Sequence, residues 1–329
     1  MPYAAAALAD YLGNTPDQAC SDKTARSMAM AAFVRAQQLA GRTQSPVLFG
    51  LGVSAALATD RVRKGQDRAY VCIQTLSHTW EFHLSLDPER TEAQGSREHQ
   101  EQLLTEYILN TLNAALLAAE PPQAPRQTDV SEQRVTAGEK AWQELLLGKR
   151  DWAGSAEPKA LFPGAFNPLH QGHEQMIQVA EAKLGCPVTL EISAFNVDKP
   201  PLDYFDIQQR QDQIQGRHPL VITRAPTFLE KSAMFPGIPF VVGLDTLVRI
   251  AHNRYYGHDN HRRDSAISSL AERGNSFLVF GRQLDQAFET LDDVSLPDRL
   301  MQLCTGVSEA DFRQDISSTE LRQKGLSNE

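Results

Sequence analysis

Short apolar runs recur through the second half of the chain, separated by longer amphipathic or polar stretches. Residues 160–166, 188–195, 220–223, 239–244 and 277–280 each have strand length, and each gap is long enough for a helical crossover. The pattern predicts a parallel, doubly wound α/β sheet with helices on both faces. Ligands of such sheets bind beyond the carboxyl ends of the strands, so chemistry is expected there. The first half reads differently. Residues 22–40 form an Ala- and Met-rich helix that Ser21 caps and Gly41 ends. Residues 47–53 read as a buried strand, and 68–75 with 79–86 as a hairpin. Residues 96–117 form a long amphipathic helix with Leu103, Leu104, Tyr107, Ile108 and Leu112 on its buried side. These elements predict a smaller α/β sandwich domain over residues 1–120. A Pro-rich stretch then opens a linker, 121–158, in which 132–147 regains a helical pattern around Ala141, Trp142, Leu145 and Leu146. That helix serves as a docking element or stands alone on the surface. The sheet domain fills 159–329.

Composition narrows the partners more than the fold. A chain of 329 residues with 41% hydrophobic and 22% charged residues suits a soluble protein of about two domains. The net charge of −9 and pI near 5.5 argue against nucleic-acid binding through bulk charge, while leaving room for a local basic pocket. No apolar run nears the ~18 residues that would suggest a membrane span, and the first ten residues make a poor signal peptide. Cys20, Cys72, Cys186 and Cys304 are scattered, without the spacing of a zinc site or a disulfide framework. The expectation is a cytoplasmic protein with no protein-borne metal site.

The chemistry concentrates after the first strand of the sheet domain. Leu161-Phe162-Pro163-Gly164-Ala165-Phe166-Asn167-Pro168-Leu169-His170-Gln171-Gly172-His173 runs from an apolar strand through a tight turn into a polar helix start. Histidines three residues apart share one face of the first helical turn. Helix starts present amide N–H groups and partial positive charge, which attract phosphate. Two imidazoles there could donate to phosphate oxygens as charge builds in a transition state. The other strand ends add candidates: Lys199 in Asp198-Lys199-Pro200-Pro201, Gly243 and Asp245 in Gly243-Leu244-Asp245-Thr246, and Arg282 after Gly281. Near the C-terminus, Ile316-Ser317-Ser318-Thr319-Glu320-Leu321-Arg322 reads as a helix start rich in hydroxyls, with an arginine one turn in. Each has a plainer reading. Asp245 is a good N-cap, Lys199 and Arg282 suit solvated loops, and Ser317 with Glu320 has the spacing of a capping box. Asp292 and Asp293 are read as solvated, Phe277 and Phe280 as core.

Taken together and in order, these motifs resemble the nucleotidyltransferase superfamily of cytidylyltransferases and adenylyltransferases, over about 159–325. The segment 164–173 looks like its Gly-x-Phe-Asp/Asn-Pro-x-His-x-Gly-His signature, and 316–322 looks like its Ile-Ser-Ser-Thr-x-x-Arg signature. Val242-Gly243-Leu244-Asp245-Thr246 is similar to the Gly-x-Asp segment of the nicotinamide/nicotinate mononucleotide adenylyltransferases. Asp198-Lys199-Pro200-Pro201 stands, altered, where that branch has a Pro-Pro-His-Lys loop, and the tryptophan expected after the Gly-x-Asp helix start is absent. The resemblance implies a Rossmann-like nucleotidyltransferase fold and transfer of AMP from ATP, or of another nucleotide, to a phosphorylated acceptor, with pyrophosphate released. It implies that His170, His173, Lys199 and Arg322 are catalytic. It implies that Gly164, Ala165, Phe166, Asn167, Gly243, Asp245, Arg282, Ile316, Ser317, Ser318 and Thr319 bind the nucleotide, with Mg²⁺ carried mainly on its phosphates.

Gly50-Leu51-Gly52-Val53-Ser54-Ala55 matches a loose dinucleotide-binding pattern. That reading is rejected, because charged residues and another strand follow where a helix is needed. Residues 21–118 instead resemble the CinA C-terminal domain, some of whose members are nicotinamide-mononucleotide deamidases. The resemblance rests on the helix 21–40, on 50–55 and on Gly65-Gln66-Asp67-Arg68-Ala69-Tyr70-Val71. Ser54 falls where that family places a site hydroxyl, but the family's Glu-Ser-Cys-Thr-Gly-Gly segment has no counterpart here. The domain is therefore expected to be catalytically silent and to serve packing, homo-oligomerisation or ligand sensing. Two other functions stay open: a cytidylyltransferase or adenylyltransferase with a different phosphorylated acceptor, and a non-catalytic nucleotide-binding scaffold.

Overall fold

The computed structural model describes residues 4–41, 48–60, 65–86, 97–117, 121–122, 129–154, 157–197, 199–284 and 287–313. The chain divides into two compact units. One comprises Met1–Leu147 and Asp198–Gln208, the other Gly148–Val197 and Gln209–Glu329.

In the first unit, α1 (Ala5–Leu12) precedes α2 (Asp22–Ala40), whose Ser21 cap accepts a hydrogen bond from the Thr24 amide. Strands β1 (Phe49–Ala56), β2 (Asp67–Thr75) and β3 (His78–Leu86) follow, then α3 (Arg97–Leu117), β4 (Asp129–Ala137) and α4 (Lys140–Leu146). The four strands form an antiparallel meander in chain order. Alternation along the strands sorts the side chains onto two faces. Val71, Ile73, Phe82 and Leu84 form an apolar cluster with Leu104 and Tyr107 of α3, while Cys72 packs with Ala25 and Ala29 of α2. Gly50 and Gly52 explain themselves here. A Cβ on either would lie within about 2 Å of the backbone oxygens of Ala29 and Ala25, so α2 rests directly on β1. The paired glycines are a packing device, and the strand after them is a hairpin partner, as rejecting a dinucleotide turn required.

One expectation for this region needs correction. The helix expected over 132–147 is strand as far as Ala137, and only Lys140–Leu146 is helical. The open edge of β3 offers a ladder that a lone amphipathic pattern does not reveal. Trp142, Leu145 and Leu146 are buried within this unit, so the segment is a fourth strand and a core helix rather than a linker.

The second unit begins with β5 (Trp152–Gly154) and β6 (Ala160–Pro163), followed by α5 (Gln171–Leu184), β7 (Val188–Ser193), α6 (Tyr204–Ile214), β8 (Leu220–Thr223), α7 (Phe228–Met234), β9 (Pro239–Gly243), α8 (Leu244–Ala251) and α9 (Asn260–Glu272). It ends with β10 (Ser276–Phe280), the short hairpin β11 (Arg282–Leu284) and β12 (Ala287–Glu289), α10 (Asp298–Met301) and β13 (Cys304–Val307). The first turn of α6 belongs to the first unit and the rest of α6 to the second. The main sheet runs β13-β10-β9-β6-β7-β8-β5. All its pairs are parallel except β5 with β8. Five strands fall on the expected runs, whereas β13 and the antiparallel edge β5 were not foreseen. Its core joins Leu161, Phe240, Val242, Leu247, Ile267 and Phe277. From β6 the chain winds outward through β7 and β8, then returns to β9 on the other side and winds through β10 to β13. The reversal makes the β6/β9 boundary a topological switch point, where open α/β sheets hold ligands.

Candidate active site at the switch point

The strand-to-helix turn after β6 lies at that boundary. Leu161 is paired with Phe240, and Gly164 and Gly243 each follow three residues later in the chain. The Gly164 amide donates to the Glu191 carbonyl at 3.0 Å, which ties the turn to β7. A Cβ at Gly164 would strike the Phe166 ring at 2.6 Å. Phe166 itself takes a left-handed φ of 44°, uncommon for a bulky residue. Its ring is buried and meets Phe162 at 5.3 Å and His173 at 5.1 Å between centroids. The backbone after β6 thus folds an aromatic ring back beneath the histidine.

His170 caps α5 and His173 is its third residue. The two imidazoles stack with centroids 3.6 Å apart and 23° between planes. His173 Nδ1 accepts the His170 backbone N–H at 3.3 Å. An accepting Nδ1 puts the proton of a neutral ring on Nε2, so His173 presents an N–H donor at its far edge. Burial lowers the His170 pKa below its ordinary value. Burial, then the neighbouring His170, pushes that of His173 down to about 3. Near neutral pH both rings are therefore uncharged: stacked cations would be costly in a half-buried site.

Across the boundary, Gly243 precedes α8, with an ordinary φ of −79°. A Cβ there would meet nothing within 4 Å, so neither backbone conformation nor packing requires glycine. Asp245 lies in the first turn of α8 and forms an ion pair with Arg282. Both are about half exposed, so this pair links the ends of β9 and β10 at modest energy. Lys199 is exposed and falls in the segment assigned to the first unit. Ala165 and Asn167 lie in the turn. Ile316, Ser317, Ser318, Thr319 and Arg322 lie outside the described residues.

Several supporting residues escaped the sequence reading. The Arg210 guanidinium donates to the Ala165 carbonyl at 3.0 Å, and the Gln213 side-chain oxygen accepts the Leu169 amide at 3.1 Å. Beneath the strand ends, Lys231 Nζ donates to Glu191 at 2.8 Å, and the Thr223 hydroxyl donates to the same carboxylate. Lys231 and Glu191 are almost completely buried. In the sequence, Gln208-Gln209-Arg210-Gln211-Asp212-Gln213 looks like a solvated helix face and gives no sign of such contacts. Among the described residues no group of three or more His, Cys, Asp or Glu could hold a metal ion, and no helix is long and apolar enough to cross a membrane.

Comparison with known families matches residues 161–324 to the cytidylyltransferase-like family. A cytidylyltransferase-like domain therefore occupies these residues, and its matched region opens on β6 and the histidine turn. No curated protein matches the chain.

Proposed function

We propose that residues 161–324 form a nucleotidyltransferase that moves AMP from ATP onto the phosphate of nicotinamide or nicotinate mononucleotide. An acceptor phosphate oxygen attacks the α-phosphorus, the bond from that phosphorus to the bridging oxygen of the β-phosphate breaks, and pyrophosphate leaves. No covalent enzyme intermediate is needed; positioning and stabilisation of developing charge supply the rate. The observation that carries the reading is the stacked, neutral His170/His173 pair at the start of α5, on the switch-point rim of a cytidylyltransferase-like domain. In this role His173 Nε2–H donates to an α-phosphate oxygen as negative charge grows, while His170 contacts the triphosphate beside it.

Other features support the pocket. Gly243, which packing does not require, leaves room for a nucleotide against the end of β9. Phe312 is buried and meets Phe280, the last residue of β10, at 5.0 Å between centroids. Ser317, Ser318 and Thr319 are proposed to hold the β- and γ-phosphates, with Arg322 adding charge. Arg282 takes the same role once a phosphate replaces Asp245 as its partner. The described residues offer no carboxylate cage, and the proposed Mg²⁺ arrives on the nucleotide's phosphates and water. The first unit, CinA-like in this reading, is taken as catalytically silent. In support, the Ser54 hydroxyl donates to the Ala19 carbonyl at 2.5 Å and is already engaged within the fold. Cysteine usage supports a cytoplasmic location.

The family description favours one second reading, with CTP as the donor. Incubating the full chain with ATP or CTP and a panel of phosphorylated acceptors, and following pyrophosphate, separates the two. His173→Ala is expected to lower turnover by ~10²–10³-fold with the circular-dichroism spectrum unchanged. A rate near wild type would overturn the assigned role.

A further inference from the structure

The turn that carries the histidines is gripped from one side by a single stretch of chain. Four side chains between residues 210 and 218 reach it. Arg210 Nε donates to the Ala165 carbonyl at 3.0 Å, and Gln213 Oε1 accepts the Leu169 amide at 3.1 Å. Arg217 pairs with Glu174 at 2.6 Å, and His218 Nε2 meets the other Glu174 oxygen at 2.6 Å. Ala165 and Leu169 flank the turn proper, and Glu174 lies in the first turn of α5.

The geometry has a direction. The Ala165 carbonyl belongs to the peptide that joins Phe166, so fixing that oxygen fixes the peptide plane from which Phe166 departs at φ 44°. This conformation is costly for a bulky residue and persists only where its surroundings enforce it. The enforced φ lays the Phe166 ring over Gly164 and against His173. At the other end, Gln213 holds the peptide between Pro168 and Leu169, one residue before the His170 N–H that donates to His173 Nδ1. Arg210 is 6% exposed, so its contact with the turn is sheltered from water and correspondingly firm.

We propose that Arg210 and Gln213 are positioning residues for the histidine pair: through the Ala165 carbonyl and the Leu169 amide they hold His173 as the Nε2–H tautomer, aimed at the reacting phosphate. The claim about catalysis rests on the transferase reading; the claim about tautomer and orientation does not.

The test uses the full chain labelled with ¹⁵N-histidine, in wild type and in Arg210→Met, Gln213→Met, Arg210→Lys and Gln213→Glu. Long-range ¹H–¹⁵N spectra report the His173 tautomer, and pyrophosphate release from ATP and nicotinamide mononucleotide reports kcat and KM. The Met variants are expected to lose the single Nε2–H signature and to lower kcat by ~10–100-fold, the scale of an ångström-level misplacement, with the KM for ATP within about twofold. Gln213→Glu keeps an oxygen acceptor for the Leu169 amide and should recover most of the loss. Arg210→Lys keeps a donor without the planar fork and should recover less. If Arg210→Met does not fold, the Gln213 pair and Arg210→Lys carry the same comparison. Folded Met variants with the wild-type His173 spectrum and near-normal kcat would overturn the proposal, as would a pure loss of melting temperature. If wild type releases no pyrophosphate with any nucleotide and acceptor, the transferase reading falls, while the His173 spectra still decide the positioning claim.

Discussion

His173 shows how much one side chain's surroundings alter its chemistry. An exposed histidine titrates near pH 6.5, but burial and the stacked His170 hold this one at about 3, and burial lowers His170 as well. Both folded-state values lie below the unfolded ones. Between about pH 3 and pH 6.5 the unfolded chain therefore binds more protons at these sites, so stability falls as pH falls through that window. Melting curves from pH 7 to pH 4 should show a steep loss for wild type and a shallower one for His173→Gln; parallel curves would refute the assigned burial effect. The identity of the histidines was legible because their spacing and the strand before them are local. Their tautomer and neutrality were not, since these depend on a backbone amide, a stacked ring and two phenylalanines brought together by the fold. The Asp245–Arg282 pair shows the same limit: each residue was singled out, but as a cap and a lone cation.

At the scale of elements, close approach and buried charge leave the clearest marks. Gly52→Ala would push a methyl group to within about 2 Å of the Ala25 carbonyl oxygen. It should lower stability by about 1–3 kcal/mol or more through overpacking, readable as a shifted urea midpoint. Arg26 of α2 is a second such point. It meets Glu81 of β3 at 2.5 Å and Asp203 at 3.0 Å, all three nearly buried. Burial alone would lower the Arg26 pKa, but Asp203, Glu81, Asp206 and Asp22 outweigh it and raise the value. Asp203 is raised to about 6 by its burial and by Asp206, against the pull of Arg26. Removing the cation leaves two carboxylates buried without their partner, so Arg26→Met should cost about 3–5 kcal/mol; a loss below 1 kcal/mol in urea melts would contradict this. Periodicity located α2, α3, the hairpin and five parallel strands, since each carries its pattern within itself. It missed β4, β5 and β13, because edge strands are specified by the neighbours that complete their ladders, even one as long as β4.

For the whole molecule, the division into units is not a cut between two sequence segments. Asp198–Gln208 lies between β7 and the rest of α6 in the chain, yet belongs with Met1–Leu147. Tyr204 within it is fully buried, stacks 6.2 Å from Trp142 and donates from its hydroxyl to the Leu76 carbonyl at 2.5 Å. A chain starting at Gly148 would keep Tyr204 while losing Trp142, Leu76 and Arg26. It should unfold at lower urea than the full chain and show an exposed Tyr204 in quenching experiments. Equal stability would mean that the shared segment contributes little. Boundaries expected at 120 and 158 miss this exchange because they follow changes in composition, and a returning segment leaves no compositional mark.

Sequence alone determined what is local: the alternation of strands and helices, the strand-to-helix turn that carries the histidines, the cap and stop of α2, and the failure of the Gly50–Ala55 dinucleotide pattern for want of a following helix. Each follows from spacing within a few residues, where backbone sterics and side-chain periodicity act directly. Only the tertiary structure decided that β6 and β9 meet at the switch point, that Arg210 and Gln213 grip the turn, that Arg26 binds carboxylates far away in the chain, and that 198–208 belongs with the first unit. Those outcomes depend on long-range strand pairing and on the cost of burying charge, neither of which is written in any single stretch of residues.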